Sequence, residues 1–261
     1  MSEKYSLEAV KAAYGWGRSK SWNDAIELMG RAAAAGEDGA AQQLALVTQA
    51  PIEQMLTPPS PERMTPHARI AAARGFAPPG FGNWLIERAR TSLQPSTTAG
   101  GQIDEKRTAL TTFFKPRDAD LVIAILQHRA SILLSVPVEC HEAPSVISYE
   151  VGQQYVAHFD FLDPNVERER ENLARYGQRV GTVVTYLNDD FEGSATVFPR
   201  LDIAFRGQPG DAVFFANVRP DGQPDTLTLH QAPPPTRGRK WVFSQWIRSK
   251  RLSLAEDLQR L

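Results

Sequence analysis

The hydrophobic and polar positions in the first 130 residues of the chain follow a helical pattern. Between Ser21 and Gln49 apolar residues recur every three or four positions. These apolar positions are Trp22, Ile26, Met29, Ala40, Leu44 and Val47. Residues at this spacing share one face of a helix, so the stretch predicts a helical hairpin. Two more amphipathic helices are predicted at Phe81–Ser92 and at Arg117–Ser131, the second directly after a proline.

After Ile132 the pattern changes to short runs of β-branched and aromatic residues separated by Gly, Pro, Asn and Asp. Such runs predict strands. They are Ser145–Tyr149, Tyr155–Phe161, Gly181–Leu187, Ala212–Phe215 and Trp241–Ile247. Many short strands with turn signals are typical of a β-sandwich or jelly roll. Because the helices come first and flank the sheets, the predicted fold class is α+β, with a jelly-roll core and a small helical segment at its N-terminal side.

A proline-rich stretch, Thr57–Pro66, cannot continue a helix and predicts a domain boundary. We therefore expect a helical hairpin in residues 1–55, a linker in residues 56–75 and the main domain in residues 76–261. The hairpin resembles one unit of the Sel1-like helical repeats, a subclass of the tetratricopeptide type, which need about three copies to stand alone. The other interpretation is that its helices simply pack on the main domain.

Charge and cysteine content exclude several classes of function. Lys and Arg number 29 against 30 Asp and Glu, so the chain has no net field that would attract nucleic acid or an anionic membrane. The single cysteine, Cys140, excludes an intrachain disulfide and a multi-cysteine metal site, and we expect it to be buried. The sequence opens without a signal-peptide pattern and has no run of about 20 apolar residues. These features predict a cytoplasmic protein without nucleic acid or membrane as a partner.

A candidate metal site lies in the predicted strand Tyr155–Phe161. Side chains two positions apart point to the same side of a strand, so His158 and Asp160 can meet one ion. The chain has five histidines, which are His67, His128, His141, His158 and His230. His230 is the candidate third ligand, because the other three lie in the linker, in a helix or just before the strands. Two histidines and one carboxylate suit non-haem Fe(II), and the alternative is a hydrogen-bonded structural pair without metal.

Four segments of the main domain add a family resemblance. They are SYEVGQQYVAHFDF from Ser148, RVGTVVTYLNDDFEGSATVFP from Arg179, GQPGDAVFFAN from Gly207 and LHQAPPPTRGRKWVFSQWI from Leu229. In order and spacing they resemble the prolyl 4-hydroxylase family of Fe(II)/2-oxoglutarate-dependent dioxygenases, over residues 75–250. The resemblance implies a double-stranded β-helix and a hydroxylase with Fe(II) held by His158, Asp160 and His230. It further implies that dioxygen and 2-oxoglutarate are consumed, that succinate and CO2 are released, and that ascorbate is a candidate reductant.

The same resemblance implies which residues bind 2-oxoglutarate. Lys240 lies ten positions after His230, the offset at which the family has a lysine that pairs with the distal carboxylate of 2-oxoglutarate. Tyr149 and Thr196 match the hydroxyl donors to that carboxylate, and Trp246 matches an aromatic residue near the iron. Without the resemblance these residues are equally typical of a surface lysine, core aromatics and a strand threonine.

Two segments depart from the family pattern. Gly193-Ser194 stands where the family has paired glycines, and Gln231-Ala-Pro-Pro-Pro follows the distal histidine, which makes that segment stiffer than usual. Asp160 fills the carboxylate position that halogenases of this superfamily leave vacant for chloride, so hydroxylation is favoured.

The charged stretch Leu162–Gln178 is either a solvated loop or short helix, or a mobile lid whose arginines grip a substrate. The candidate substrate residues are Arg168, Arg170, Arg175 and Arg179. The resemblance implies a proline-like substrate, either a free cyclic amino acid or proline in a peptide. Another amino acid or natural product, desaturation in place of hydroxylation, and a non-catalytic partner-binding protein stay open. The sequence does not indicate an oligomeric state.

Overall fold

Six of the seven α-helices precede residue 135 in the computed structural model, which describes residues 4–96 and 106–252. The α-helices are α1 (Tyr5–Tyr14), α2 (Trp22–Ala34), α3 (Ala40–Val47), α4 (Ile52–Leu56), α5 (Phe81–Arg90), α6 (Leu121–Leu134) and α7 (Glu167–Tyr176). Short 3-10 helices lie at Pro116–Asp118, Val138–Cys140 and Thr226–Thr228. The stretch predicted as a hairpin contains α2 and α3, and the two further predicted helices are α5 and α6. Helix α1 was not predicted.

Helix α6 begins four residues later than predicted, because its N-terminal cap is Asp120. Oδ1 of Asp120 accepts from the backbone N–H of Ile123 (2.7 Å), which satisfies one of the free donors of the first turn. The other oxygen accepts from Nε1 of Trp84 (2.7 Å) and from Arg88, both on α5. One carboxylate therefore caps α6 and fastens α5 to it.

The strands are β1 (Glu62–Arg63), β2 (Ile70–Ala73), β3 (Gln94–Pro95), β4 (Leu110–Phe113), β5 (Ser145–Tyr149), β6 (Tyr155–His158), β7 (Arg179–Tyr186), β8 (Phe191–Gly193), β9 (Thr196–Phe198), β10 (Ile203–Phe205), β11 (Ala212–Ala216), β12 (His230–Ala232), β13 (Pro235–Gly238) and β14 (Lys240–Arg248). The predicted strands correspond to β5, β6, β7, β11 and β14. Strand β6 ends three residues before the predicted end at Phe161, so Asp160 lies just beyond it.

Two antiparallel sheets face each other. The larger has the order β1-β2-β11-β7-β14-β5-β4-β3 and the smaller β10-β9-β12-β6, while β13 and β8 form a separate pair. Phe198 and Phe205 of the smaller sheet share a hydrophobic cluster with Tyr186 and Phe215 of the larger one. This arrangement confirms the expected jelly roll, or double-stranded β-helix, within an α+β fold.

The larger sheet is buried on both faces, which explains the nearly uninterrupted apolar runs in its central strands. In β14, Val242 belongs to the cluster between the sheets, whereas Trp241 and Phe243 belong to a second cluster that includes the helices. Because side chains alternate along a strand, neighbouring residues serve different cores. Cys140 is buried and free, as predicted.

The N-terminal helices pack on the main domain. Residues of α1, α2 and α3 belong to the same hydrophobic cluster as α5, α6 and the outer face of the larger sheet. Residues 56–75, predicted as a linker, contain β1 and β2, and β2 pairs with β11. The division into domains and the Sel1-like character of the hairpin stay predictions. Among the described residues no helix has the length and apolar character needed to cross a membrane; the predicted cytoplasmic location is a separate question.

Helix α7 forms the core of an excursion between β6 and β7, which the side chain of Gln178 closes at its base. Oε1 of Gln178 accepts from the backbone N–H of Leu162 (2.7 Å), and its Nε2 donates to the Leu162 carbonyl (2.8 Å). Arg248 of β14 donates to Oδ1 of Asn172 (2.7 Å) and to the carbonyl of Gly177 (2.8 Å). The charged stretch is thus helical, which was one of the predicted alternatives.

Arg129 provides a test of how firmly the N-terminal part is attached. From α6 its guanidinium donates to the carbonyls of Met55 (2.6 Å), Phe76 (2.6 Å) and Gln54 (3.1 Å). Arg129→Met should lower the free energy of unfolding by about 2–4 kcal/mol, because buried carbonyls lose their donor. Arg31→Met, which removes only an exposed ion pair with Glu27, should change it by less than about 0.5 kcal/mol. Urea denaturation followed by circular dichroism measures both, and equal losses would contradict the prediction.

Candidate metal centre and adjoining cavity

The pairing of two short strands brings the candidate metal ligands together. Strands β6 and β12 are antiparallel, with His158 directly opposite His230, and the two imidazole centroids lie 4.2 Å apart. Asp160 follows the end of β6, and its two carboxylate oxygens lie 3.7 Å from Nε2 of His158 and 3.6 Å from Nε2 of His230. Donor atoms of all three side chains fall within 4.8 Å of one another, close enough to share one ion.

Backbone carbonyls orient both imidazoles. Nδ1 of His158 lies 2.8 Å from the carbonyl of Val156, and Nδ1 of His230 lies 3.0 Å from that of Thr228. A carbonyl can only accept, so each Nδ1 carries a hydrogen and each Nε2 is the ring nitrogen left to bind a metal. Burial, with the neighbouring His230, lowers the pKa of His158 to about 3, which keeps it in the neutral form that binds metals.

Asp160 is buried and held by a polar side chain of β7. Oγ1 of Thr182 donates to one of its oxygens (2.7 Å), and Nδ2 of Asn217 donates to Thr182 (3.0 Å). Burial alone would raise the pKa of Asp160, but the two imidazoles and the Thr182 hydrogen bond hold it below its usual value. Two imidazoles and one carboxylate form a donor set that fits Fe(II) with open coordination positions.

A cavity between the sheets begins at these three side chains and is lined by the four residues predicted for 2-oxoglutarate: Tyr149, Thr196, Lys240 and Trp246. Lys240, opposite Tyr149 in the sheet register, is only 1% exposed. Its Nζ donates to the carbonyl of Ser194 (2.6 Å) and lies 4.8 Å from the centroid of the Tyr186 ring. Burial lowers the pKa of Lys240 to about 7.

No carboxylate pairs with Lys240 within the described part of the chain. A buried ammonium without a counterion is costly, so the cavity is suited to a ligand that brings an anionic group. Tyr149 has a pKa raised by burial and is therefore a neutral hydroxyl donor. Thr196 contacts the hydroxyl of Tyr186 through both its backbone N–H (2.9 Å) and Oγ1 (3.0 Å). The donor chemistry fits a dicarboxylate such as 2-oxoglutarate.

The four candidate substrate arginines lie in two different places. Arg179, at the start of β7, binds both carboxylate oxygens of Glu142 (2.6 and 3.0 Å), and its guanidinium lies 3.7 Å from the ring centroid of Trp246. The other three are on α7, where Arg168, Arg170 and Arg175 are exposed. The structure therefore brings Arg179 alone of the four against a residue that lines the cavity.

Sequence reasoning missed other residues near the cavity. Arg107 is buried and lines the cavity, with its guanidinium 4.8 Å from the ring centroid of Tyr155. The Tyr155 ring stacks on the imidazole of His158, with centroids 3.4 Å apart. Thr182 and Asn217, which support Asp160, were also missed. Arg107, Thr182 and Asn217 reach the site through pairings between distant segments, which no sequence motif marks, whereas Tyr155 lies on β6, three residues before His158.

Comparison with known proteins gives a consistent result. A family model described as the 2OG-Fe(II) oxygenase superfamily matches residues 144–248, which include the three candidate ligands and Lys240. Prolyl 4-hydroxylase 5 of Arabidopsis thaliana is 34% identical over 188 residues, and the alignment spans 62% of each chain. Prolyl 4-hydroxylase 1 of the same plant is 31% identical over 212 residues, spanning 74% of this chain and 73% of the relative.

A solved structure is also similar. The viral collagen prolyl hydroxylase from Paramecium Bursaria Chlorella virus-1, in its 2OG complex, is 26% identical with a TM-score of 0.56. The alignment covers 70% of this chain and 97% of that one. The chain spans less than two thirds of the length of some relatives: 62% of prolyl 4-hydroxylase 5 and 61% of probable prolyl 4-hydroxylase 4, both from Arabidopsis thaliana.

Metal binding should depend on Asp160. Asp160→Ala removes the one anionic donor of the three, so the affinity for Fe(II), titrated anaerobically by calorimetry, should fall at least about 100-fold. Asp163→Ala, at an exposed aspartate three residues further on, is the matched control and should bind as the unaltered protein does. Equal affinity of the two variants would place the ion elsewhere.

Binding of 2-oxoglutarate should depend on pH through Lys240. Because its pKa is lowered to about 7, the ammonium is present below that pH and is lost above it. Affinity for the dianion should be constant below about pH 6.5 and fall about tenfold per pH unit above about 7.5. In Lys240→Arg the side chain stays charged across this pH range. The affinity of this variant for 2-oxoglutarate can differ in size from that of the unaltered protein, but it should not vary with pH. Calorimetric titrations across this range measure both, and a flat profile for the unaltered protein would contradict the assignment.

Proposed function

The chain belongs to the prolyl 4-hydroxylase family of Fe(II)- and 2-oxoglutarate-dependent oxygenases, and from this membership we propose that it hydroxylates proline within a peptide or protein. Dioxygen and 2-oxoglutarate are the cosubstrates, and succinate and CO2 the co-products. The observation that carries the proposal is a single cavity with a buried cation, Lys240, and a two-histidine, one-carboxylate set along its wall.

In this proposal each group of donors has one task. His158, Asp160 and His230 hold Fe(II), and Lys240 pairs with the distal carboxylate of 2-oxoglutarate. The hydroxyl groups of Tyr149 and Thr196 donate to that carboxylate. When bound, the iron and 2-oxoglutarate together supply the activation of dioxygen that breaks an unactivated C–H bond.

The protein's own contribution is orientation and exclusion of water. Thr182 fixes the Asp160 carboxylate, and backbone carbonyls fix both imidazoles, so the donor set is held in place before an ion binds. Lys240 lies deep between the sheets, where its attraction for an anion is not weakened by solvent. In this proposal 2-oxoglutarate binds at the Lys240 end of the cavity, and the substrate binds at the opposite end.

We propose that Trp246, which was predicted for 2-oxoglutarate, instead forms the substrate side of the cavity together with Arg179. Glu142 uses two nitrogens of Arg179, so its remaining N–H groups can donate to a peptide carbonyl, while Trp246 offers an apolar face to a prolyl ring. A substrate role for Arg168, Arg170 and Arg175 stays a prediction, and it would require a substrate that extends over α7.

The activity test uses a panel of substrates. The protein is incubated with Fe(II), ascorbate, 2-oxoglutarate and either proline-containing peptides or free cyclic amino acids, and succinate and product mass are measured. We expect a peptide to gain one oxygen for each succinate released, and Asp160→Ala to lose at least about 1000-fold in rate. Gain of oxygen by free proline alone would select the free amino acid, and loss of two hydrogens would indicate desaturation. No succinate with any substrate would refute the proposal.

A further inference from the structure

A chain of buried hydrogen bonds runs from helix α1 to the backbone beside the cavity. The hydroxyl of Tyr14 donates to Oε1 of Gln127 (2.7 Å), and Nε2 of Gln127 donates to Oε1 of Gln245 (2.8 Å). Nε2 of Gln245 then donates to the backbone carbonyls of Glu142 (2.7 Å) and Trp246 (2.9 Å). Both glutamines are buried, Gln127 with 6% and Gln245 with 0% of its surface exposed.

The direction of every bond in this chain is fixed from its far end. The two carbonyl oxygens can only accept, so the amide nitrogen of Gln245 must face them. The oxygen of Gln245 then needs a donor, which is the amide nitrogen of Gln127, and the oxygen of Gln127 in turn needs the hydroxyl hydrogen of Tyr14. Burial raises the pKa of Tyr14, so the hydroxyl keeps that hydrogen at neutral pH. The ring of Trp16 stacks on Tyr14, with centroids 4.3 Å apart, and holds it in this position.

The two carbonyls at the far end belong to the partners of Arg179. Trp246 contacts the Arg179 guanidinium with its ring, and Glu142 binds the same guanidinium with its carboxylate. The backbone N–H of Glu142 donates to the Trp246 carbonyl (2.9 Å), so the two partners also hold each other. The amide group of Gln245 therefore fixes the backbone that carries both groups against which Arg179 rests.

We infer that Tyr14 is a positioning residue: through Gln127 and Gln245 it sets the placement of Trp246 and of the Glu142–Arg179 pair, and thereby how well the cavity accepts a peptide. The inference rests on the substrate side proposed above. Tyr14 lies outside residues 144–248, which the family model matches, and makes none of the contacts of the metal ligands or of Lys240. It gives α1 a role in substrate binding that iron and 2-oxoglutarate do not require.

Tyr14→Phe tests the inference, because it removes only the hydroxyl and leaves a buried acceptor on Gln127 without its donor. We expect KM for a prolyl peptide to rise about three- to tenfold, the effect of one buried hydrogen bond, with kcat changed less than about twofold. Turnover of 2-oxoglutarate without peptide, and its affinity, should not change. Tyr5→Phe is the matched control, since Tyr5 is on the exposed end of the same helix, and it should leave every value unchanged.

Coupling gives a second criterion. Gln127→Met should raise KM at least as much as Tyr14→Phe does, and the double variant should be no worse than Gln127→Met alone, because both changes break one chain. Additive effects would overturn the inference. So would an unchanged KM in Tyr14→Phe, or a parallel loss of kcat, peptide-free turnover and thermal stability, which would indicate general damage to the fold.

Amide hydrogen exchange tests the positioning without any activity. In Tyr14→Phe the N–H of Glu142 should exchange several-fold faster than in Tyr5→Phe, since the carbonyl that accepts it is less firmly held. If the unaltered protein hydroxylated no peptide, the proposed function would fail while this measurement still decided the positioning role. Unchanged exchange at Glu142 would overturn that role.

Discussion

The pairing of β6 with β12 is the constraint on which the site depends. These strands are four and three residues long, and they place His158 opposite His230. Residues facing each other in an antiparallel pair are held about 5 Å apart by the backbone alone, so the two imidazoles meet without any contribution from their own attraction. Asp160 needs only the next two residues of chain to reach them. The donor set is thus a product of backbone geometry, and side chains refine it.

Burial then sets the charge state of each group. A low-dielectric interior favours the neutral form of His158 and lowers the pKa of Lys240, while the pKa of Asp160 is held below its usual value by neighbouring groups that include Arg179 and Thr182. The metal-site side chains and the cationic Lys240 lie at different places in the same cavity. Because water is excluded, burying the Lys240 ammonium is costly. For the same reason the ammonium strongly favours an anionic ligand that enters the cavity.

The long apolar strands could be predicted from the sequence, whereas the short strands other than β6 could not. Strands β5, β7, β11 and β14 have five or more residues and are buried on both faces, so their composition alone marks them. Strand β12 has three residues, too few to show a period of two. The fold class followed from the spacing of such runs, but the order of strands in each sheet depends on pairings between distant segments.

Some residues of the candidate site could likewise be predicted from the sequence, and others could not. His158 and Asp160 could be found because they are two positions apart, and Lys240 because a family motif fixes its distance from His230. Arg107 reaches the cavity through a single pairing with Tyr155, 48 residues further along the chain (155 − 107), and nothing local in the sequence marks it. The candidate ligand residues could therefore be found from the sequence, whereas the residues that position them could not.

The closure of the α7 excursion by Gln178 has a consequence for how this protein can diversify. One glutamine amide satisfies both the N–H and the carbonyl of Leu162, as a paired strand residue would. The fifteen residues between Leu162 and Gln178 (177 − 162) thus begin and end at a fixed point, and the strands on either side do not need them for their own register. Within that interval Asn172 and Gly177 also bind Arg248 of β14, so substitutions at its other positions can change the outer surface of α7 while the iron-side geometry stays constant.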